Sequence, residues 1–117
     1  MIIRKFSEID FFEGFEGSKI KQYFGKEDCF EYSLAYLELL PNKKTRNHKL
    51  ESNETYFIIS GTARIHINGI SEILQVNDSV MIPENTPQFI ENIGDENLRF
   101  LCIVEPPWSE NRETFLE

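Results

Sequence analysis

From residue 33 onward the chain is a run of short apolar segments cut by Pro, Gly and Asn. Residues 33–40 are largely apolar and stop at Pro41; 55–59 are aromatic and β-branched. Residues 62–67 alternate, with Ala63, Ile65 and Ile67 on one face and Arg64 and His66 on the other, the period-2 signature of a half-buried strand. Asn68-Gly69 follows at once and predicts a two-residue hairpin turn, since both central residues of a type I′ turn need positive φ. Residues 70–76 return as the partner strand, 79–82 form a short strand stopped by Pro83, and 89–93 and 98–104 flank a polar turn at 94–97. Short strands with this punctuation predict an all-β fold, a small antiparallel β-barrel or jelly roll.

The two ends carry a weaker pattern. Residues 1–6 are apolar enough for a strand. Residues 9–17 set Phe11, Phe12 and Phe15 beside Glu13 and Glu16 and read equally as a loop or one helical turn. The tail after Pro106-Pro107 is polar and acidic apart from Trp108, Phe115 and Leu116, and Trp108 is expected to pack back on the barrel or on a neighbouring subunit. With no repeats, linker or low-complexity stretch, residues 1–117 read as one domain.

Two spacings then stand out. Asn42 is followed by His48, Leu50 and Glu54, with Gly61 seven residues after the glutamate. Asn77 is followed by Pro83, Asn85, Gln88 and Asn92. Together these resemble the two sequence motifs of the cupin superfamily, over roughly residues 33–107. The family pattern is glycine, five residues, His-x-His, a short gap, Glu, six residues, Gly; then glycine, five residues, Pro-x-Gly, two residues, His, three residues, Asn. The family's glycines fall here on Asn42, Asn77 and Asn85, and Asn is the residue that best tolerates positive φ after glycine. At the metal-ligand positions His48 and Glu54 survive, whereas the other two histidines are replaced by Leu50 and Gln88.

The resemblance implies that His48, Glu54 and Gln88 would be the ligands of any divalent ion. Strand alternation then places Arg46 and Leu50 on the face of His48, Tyr56 and Ile58 on that of Glu54, and Ile90 on that of Gln88. The last strand adds either Phe100 and Cys102 or Leu101 and Ile103. Imidazole, carboxylate and amide oxygen suit Zn, Fe, Mn or Ni. Each residue also has a structural reading: His48 as a barrel-mouth histidine bonded to Glu54, Gln88 as a satisfier of buried backbone groups, Tyr56 as core, His66 as a solvated strand residue. The cofactor is therefore a weakly held divalent ion or none.

Composition narrows the partners. The formal net charge of −8 is unsuited to nucleic acid or to an anionic membrane. No apolar run approaches the ~20 residues that span a bilayer. No secretory signal opens the chain, and Cys29 and Cys102 fit neither a disulfide framework nor a zinc ribbon. A cytoplasmic protein with both cysteines as packing residues is expected. There is no GxSxG, GxxxxGK or GxGxxG motif.

Three functions remain: a small-molecule-binding cupin with a weak divalent metal acting on an oxygen-rich metabolite or sugar, a metal-free binding or sensing module, and a protein-interaction module. A metal measurement separates the first from the others, and a ligand in the cavity separates the second from the third. Isomerase, dioxygenase and decarboxylase chemistry all lie within the family, and no residue selects among them. A homodimer is expected, with Ile2, Ile3, Phe6 and Trp108 as interface residues.

Overall fold

A computed structural model describes residues 1–28 and 31–116. It consists of two antiparallel sheets packed face to face, with 3₁₀ turns at Phe6–Glu8 and Glu110–Arg112. In chain order the strands are β1 (Phe12–Glu13), β2 (Lys19–Phe24), β3 (Ser33–Leu39), β4 (His48–Leu50), β5 (Asn53–Ser60), β6 (Ala63–Ile67), β7 (Ile70–Leu74), β8 (Ser79–Ile82), β9 (Gln88–Asn92), β10 (Leu98–Glu105) and β11 (Glu113–Phe115). One sheet has the order β1-β2-β3-β10-β5-β8 and the other β11-β4-β9-β6-β7. The all-β jelly roll read from the strand pattern is the fold observed. Cys29, expected to pack, lies outside the described residues.

Alternation decides which side chains meet between the sheets. On β5, Glu54, Tyr56 and Ile58 are buried, and on β10, Leu98, Phe100, Cys102 and Val104 are buried. The choice on the last strand is thus Phe100 with Cys102; Leu101 and Ile103 face outward. Register pairs Ile58 with Phe100, Tyr56 with Cys102 and Glu54 with Val104. The interior is therefore layered. Leu39, Ile58, Ile90, Leu98 and Phe100 fill one end as a dense apolar core, and the polar residues gather at the other.

The turns carry positive φ where the family's glycines would stand: Asn42 at 65°, Asn77 at 75° and Asn85 at 60°. Asn68 in the hairpin has φ 50°. Asn85 donates its backbone N–H to the Leu50 carbonyl, and Asn77 donates to that of Ile58, so each turn is tied to a strand lining the interior. Gly61 needs to be glycine: its φ is +92°, and a Cβ there would sit 3.1 Å from the Asn97 carbonyl oxygen. Asn92 spans the closed end, its amide donating to the carbonyls of Leu39 and Glu96 while its oxygen accepts from Gly94 N–H.

The ends differ from the sequence expectation. Residues 1–5 form no strand; Arg4 instead pairs with Asp28, and Phe6 packs edge-to-face on Tyr36 with centroids 4.8 Å apart. Lys21, buried despite its charge, donates to the Phe6 carbonyl and lies 3.7 Å from the Phe6 ring centroid, anchoring this segment to β2. Strands β2, β4 and β11 had no clear sequence signal. At Asn85, substitution by Val, whose Cβ branching opposes positive φ, is expected to cost about 1 kcal/mol or more, whereas Asn85→Gly leaves stability unchanged or raised. Thermal unfolding of the two variants checks this; an unchanged Asn85→Val midpoint would contradict the turn assignment.

Candidate functional site

At the polar end the sheets enclose a cavity of about 200 Å³. Its sheet walls come from Ser33, Ala35 and Leu37 on β3, His48 and Leu50 on β4, Glu54 and Tyr56 on β5, and Cys102 and Val104 on β10. Its mouth is built by the two chain ends: Phe12, Glu13, Gly14, Phe15, Glu16, Ile20 and Gln22 from one, Trp108 and Glu113 from the other. Phe15 stacks on Trp108 across that mouth at 6.3 Å. An enclosed apolar cavity with a few convergent polar groups is the usual form of a small-molecule site.

The three residues at the motif positions meet as a closed hydrogen-bond network. Strand β4 pairs with β9 through His48 and Gln88, which sets the two side chains beside each other. His48 Nδ1 lies 2.7 Å from the Arg46 carbonyl and donates to it, so Nε2 carries the lone pair. The Gln88 amide nitrogen lies 3.1 Å from that Nε2 and also donates to Glu54 Oε1. Its two hydrogens are thereby both used. The Gln88 carbonyl accepts from Tyr56 O–H at 3.2 Å, and the Cys102 thiol donates to Glu54 Oε2 at 3.1 Å. Among the described residues no buried side-chain nitrogen or oxygen lacks a partner.

This arrangement does not fit a metal ion. The imidazole nitrogen and the carboxylate oxygen that would face a cation both face the Gln88 N–H hydrogens instead. Leu50, buried on the cavity wall, supplies no donor. Among the described residues no group of three or more His, Cys, Asp or Glu is placed to hold a metal.

The cavity is acidic and lacks a compensating cation. Burial pushes the Glu54 carboxyl up to about 7, partly offset by the thiol hydrogen bond it accepts from Cys102. Burial likewise raises Glu113 to about 7, reinforced by the nearby Glu16 charge and opposed by the Trp108 hydrogen bond and by Arg46. His48 is held below its ordinary range, chiefly by burial. Glu113 Oε2 approaches His48 Nε2 at 3.9 Å, but with Nε2 already an acceptor this is no ion pair near neutral pH. Burial also pushes the Cys102 and Tyr56 hydroxyl and thiol groups well up, so both remain protonated donors.

Of the residues expected inside, His48, Leu50, Glu54, Tyr56 and Cys102 line the cavity, and Gln88 sits behind them as the bridge. Ile58, Ile90 and Phe100 are buried in the dense core and do not reach the cavity wall. Arg46 is a correction: residues 45–47 are outside β4, and the alternation of β4 does not carry through them, Thr45 being buried and Arg46 exposed. Its guanidinium lies on the surface, with Cζ 3.9 Å from the Phe115 ring centroid. His66 faces outward as expected, yet is only half-exposed, stacked on Phe89 at 4.1 Å with Nε2 at 2.8 Å from Glu91. Glu16, Trp108 and Glu113 were not assigned to the interior from sequence, because the segments carrying them show no strand period.

A pH dependence of stability follows from the raised carboxyls. Unfolded, Glu54 titrates near its ordinary 4.5; folded, near 7. Between those values the folded chain keeps a proton that the unfolded chain has lost, so stability falls as pH rises through this window. The unfolding midpoint is expected to drop from pH 5 to pH 8. Glu54→Gln keeps an acceptor for Gln88 without the charge; it flattens the drop and stabilises the protein at pH 8 by on the order of 1–3 kcal/mol. Thermal unfolding across that range measures both; a parallel profile for the variant would contradict the assignment.

Comparison with known proteins agrees with the geometry. Residues 35–104 match the family model described as "Cupin domain". The chain is 31% identical to an uncharacterised protein of Methanocaldococcus jannaschii, over 87% of this chain and 93% of that one. Among solved structures it superposes on an uncharacterised Klebsiella pneumoniae protein with a double-stranded β-helix domain (TM-score 0.79, 19% identity, 98% of this chain and 96% of that one). It also superposes on oxalate decarboxylase from Bacillus subtilis (TM-score 0.80, 22% identity, 95% of this chain), of which it spans 31%. A two-sheet jelly roll, both spaced motifs and a family match over most of β3 to β10 lead to one assignment: the chain belongs to the cupin family.

Proposed function

We propose that this cupin is a metal-free small-molecule-binding module. The observation that carries the reading is the Gln88 amide, which occupies the space between His48 Nε2 and Glu54 Oε1 and donates to both. Catalytic zinc sites typically use three good protein ligands. Here two good donors remain, and both are already satisfied. The cavity of about 200 Å³ would take a ligand of roughly eight to ten non-hydrogen atoms, given that a slightly smaller apolar cavity accommodates benzene. Binding is favoured over catalysis because no activated group faces the space: His48 has both ring nitrogens engaged, and the Cys102 thiol is a protonated donor. The decarboxylase activity of the larger Bacillus subtilis protein is not carried over, since fold likeness alone does not transfer chemistry.

We propose further that the chain forms a homodimer through the outer face of the larger sheet. Of the interface residues expected from sequence, Ile2, Ile3 and Phe6 are exposed, whereas Trp108 lines the cavity; a second surface is also apolar. The outer face presents Phe57, Leu101, Ile103 and Met81, with Thr55 and Ser79 among them. It carries no charge at its centre, so two copies of a chain with net charge −8 can meet there without like charges opposed. A cytoplasmic location is retained as part of the same proposal.

Titration calorimetry with Zn and Mn is expected to show no measurable binding to the parent protein, and elemental analysis no stoichiometric metal. Leu50→His combined with Gln88→His should raise affinity at least tenfold, about 1.4 kcal/mol. Stoichiometric metal in the purified parent would overturn the metal-free reading. Sedimentation should show a dimer at micromolar concentration and a monomer for Phe57→Glu; a monomeric parent would refute the interface.

A further inference from the structure

The cavity combines two features that together restrict what it can hold. Its wall carries four glutamates, the exposed Glu13 at the rim and the largely buried side chains of Glu16, Glu54 and Glu113, but no lysine or arginine. Its mouth is aromatic, with Phe12, Phe15 and Trp108 in the wall. The three buried carboxylates are not equivalent. Glu54 has both oxygens occupied, accepting from Gln88 and Cys102. Glu16 folds back on its own turn and accepts from the Ser18 hydroxyl at 2.7 Å. Glu113 is different: Oε1 accepts from Trp108 Nε1 at 3.3 Å, while among the described residues Oε2 has no hydrogen-bond donor. His48 Nε2 lies 3.9 Å from Oε2 and is itself an acceptor. The Glu113 side chain is only 5% exposed. Oε2 is not one of the fully buried polar atoms: it opens on the cavity and is free to accept from a donor placed there. Arg46, the cation whose charge acts on Glu113, lies on the surface and outside the cavity wall.

We propose that the ligand is a small organic cation, an amine in its ammonium form carrying a compact apolar body. The ammonium group would donate to Glu113 Oε2 within the field of Glu16, and the body would fill the apolar space beside Trp108, Phe15 and Leu50. Aromatic faces attract cations through their quadrupole, so the mouth and the carboxylates favour the same charge. An anionic ligand of the same size would meet three buried carboxylates with no positive group to offset them. The proposal rests on the binding-module reading above and specifies its ligand class.

The chain has a single tryptophan, Trp108, and it lies in the cavity wall, so its fluorescence reports occupancy directly. Three probes of nearly equal size separate charge from shape: benzylammonium, benzyl alcohol and benzoate, titrated into the full chain at pH 8. Benzylammonium is expected to bind at least tenfold more tightly than benzyl alcohol, and benzoate not to bind. Glu113→Gln should bring benzylammonium to the level of benzyl alcohol; Glu16→Gln should give a smaller loss in the same direction. Circular dichroism confirms that each variant is folded, and the parent's ranking of the three probes stands as a test without any variant. Benzoate or benzyl alcohol binding as well as benzylammonium would overturn the cation assignment and leave the binding module standing. Failure of all three to bind would overturn both.

Discussion

The hydrogen bonds donated by the Gln88 amide nitrogen set the character of this barrel. Between a buried imidazole and a buried carboxylate there are two ways to satisfy both acceptors: a cation or a pair of N–H donors. Gln88 supplies the second with one side chain, and Tyr56 and Cys102 complete the circuit through its carbonyl and through the other oxygen of Glu54. A network of this kind is costly when half-made and rigid when complete. Every member is satisfied by protein groups, which is what the metal-free binding reading proposed above rests on.

The barrel and the turns were legible in the sequence because both are local properties. Alternation over 62–67, the Asn68-Gly69 hairpin and the Pro83 stop each require only a few neighbouring residues to read. Three Asn at the family's glycine positions also read correctly, since positive φ leaves few residues to choose from. Inward placement of His48, Glu54 and Gln88 was implied by the resemblance to the family motifs, and all three are buried. What spacing did not convey was the Gln88 bridge. Gln88 as a weak ligand and Gln88 as a donor to both would-be ligands have the same sequence, and only the relative positions of β4, β5 and β9 distinguish them.

The misreadings share a physical origin. Arg46 was placed inward by extending the alternation of β4 two residues too far, across a stretch whose backbone is not a strand. Ile58, Ile90 and Phe100 face inward as the period demands, but layering puts them in the packed half rather than the open half. Period gives the face of a residue and says nothing of its depth along the barrel axis. Depth is set by register between strands distant in the chain, such as Ile58 beside Phe100.

Division of labour within the chain follows from these limits. The two spaced motifs and the strands between them build a polar floor that is complete in itself. The mouth is built by residues 12–22 and 108–113, which lie outside the matched stretch of 35–104. Those terminal segments supply the residues that give the cavity its charge and aromatic rim: Glu16 and Phe15 on one side, Trp108 and Glu113 on the other. Gly14 makes room for this arrangement, since a Cβ there would collide with the Glu16 carboxylate. On the proposed binding reading, a ligand reaching the floor would first pass, and then match, a rim that the family pattern does not encode. Motif spacing therefore specifies the barrel, whereas on the proposed reading the ligand is specified by the ends of the chain, through one carboxylate oxygen that accepts from no protein donor.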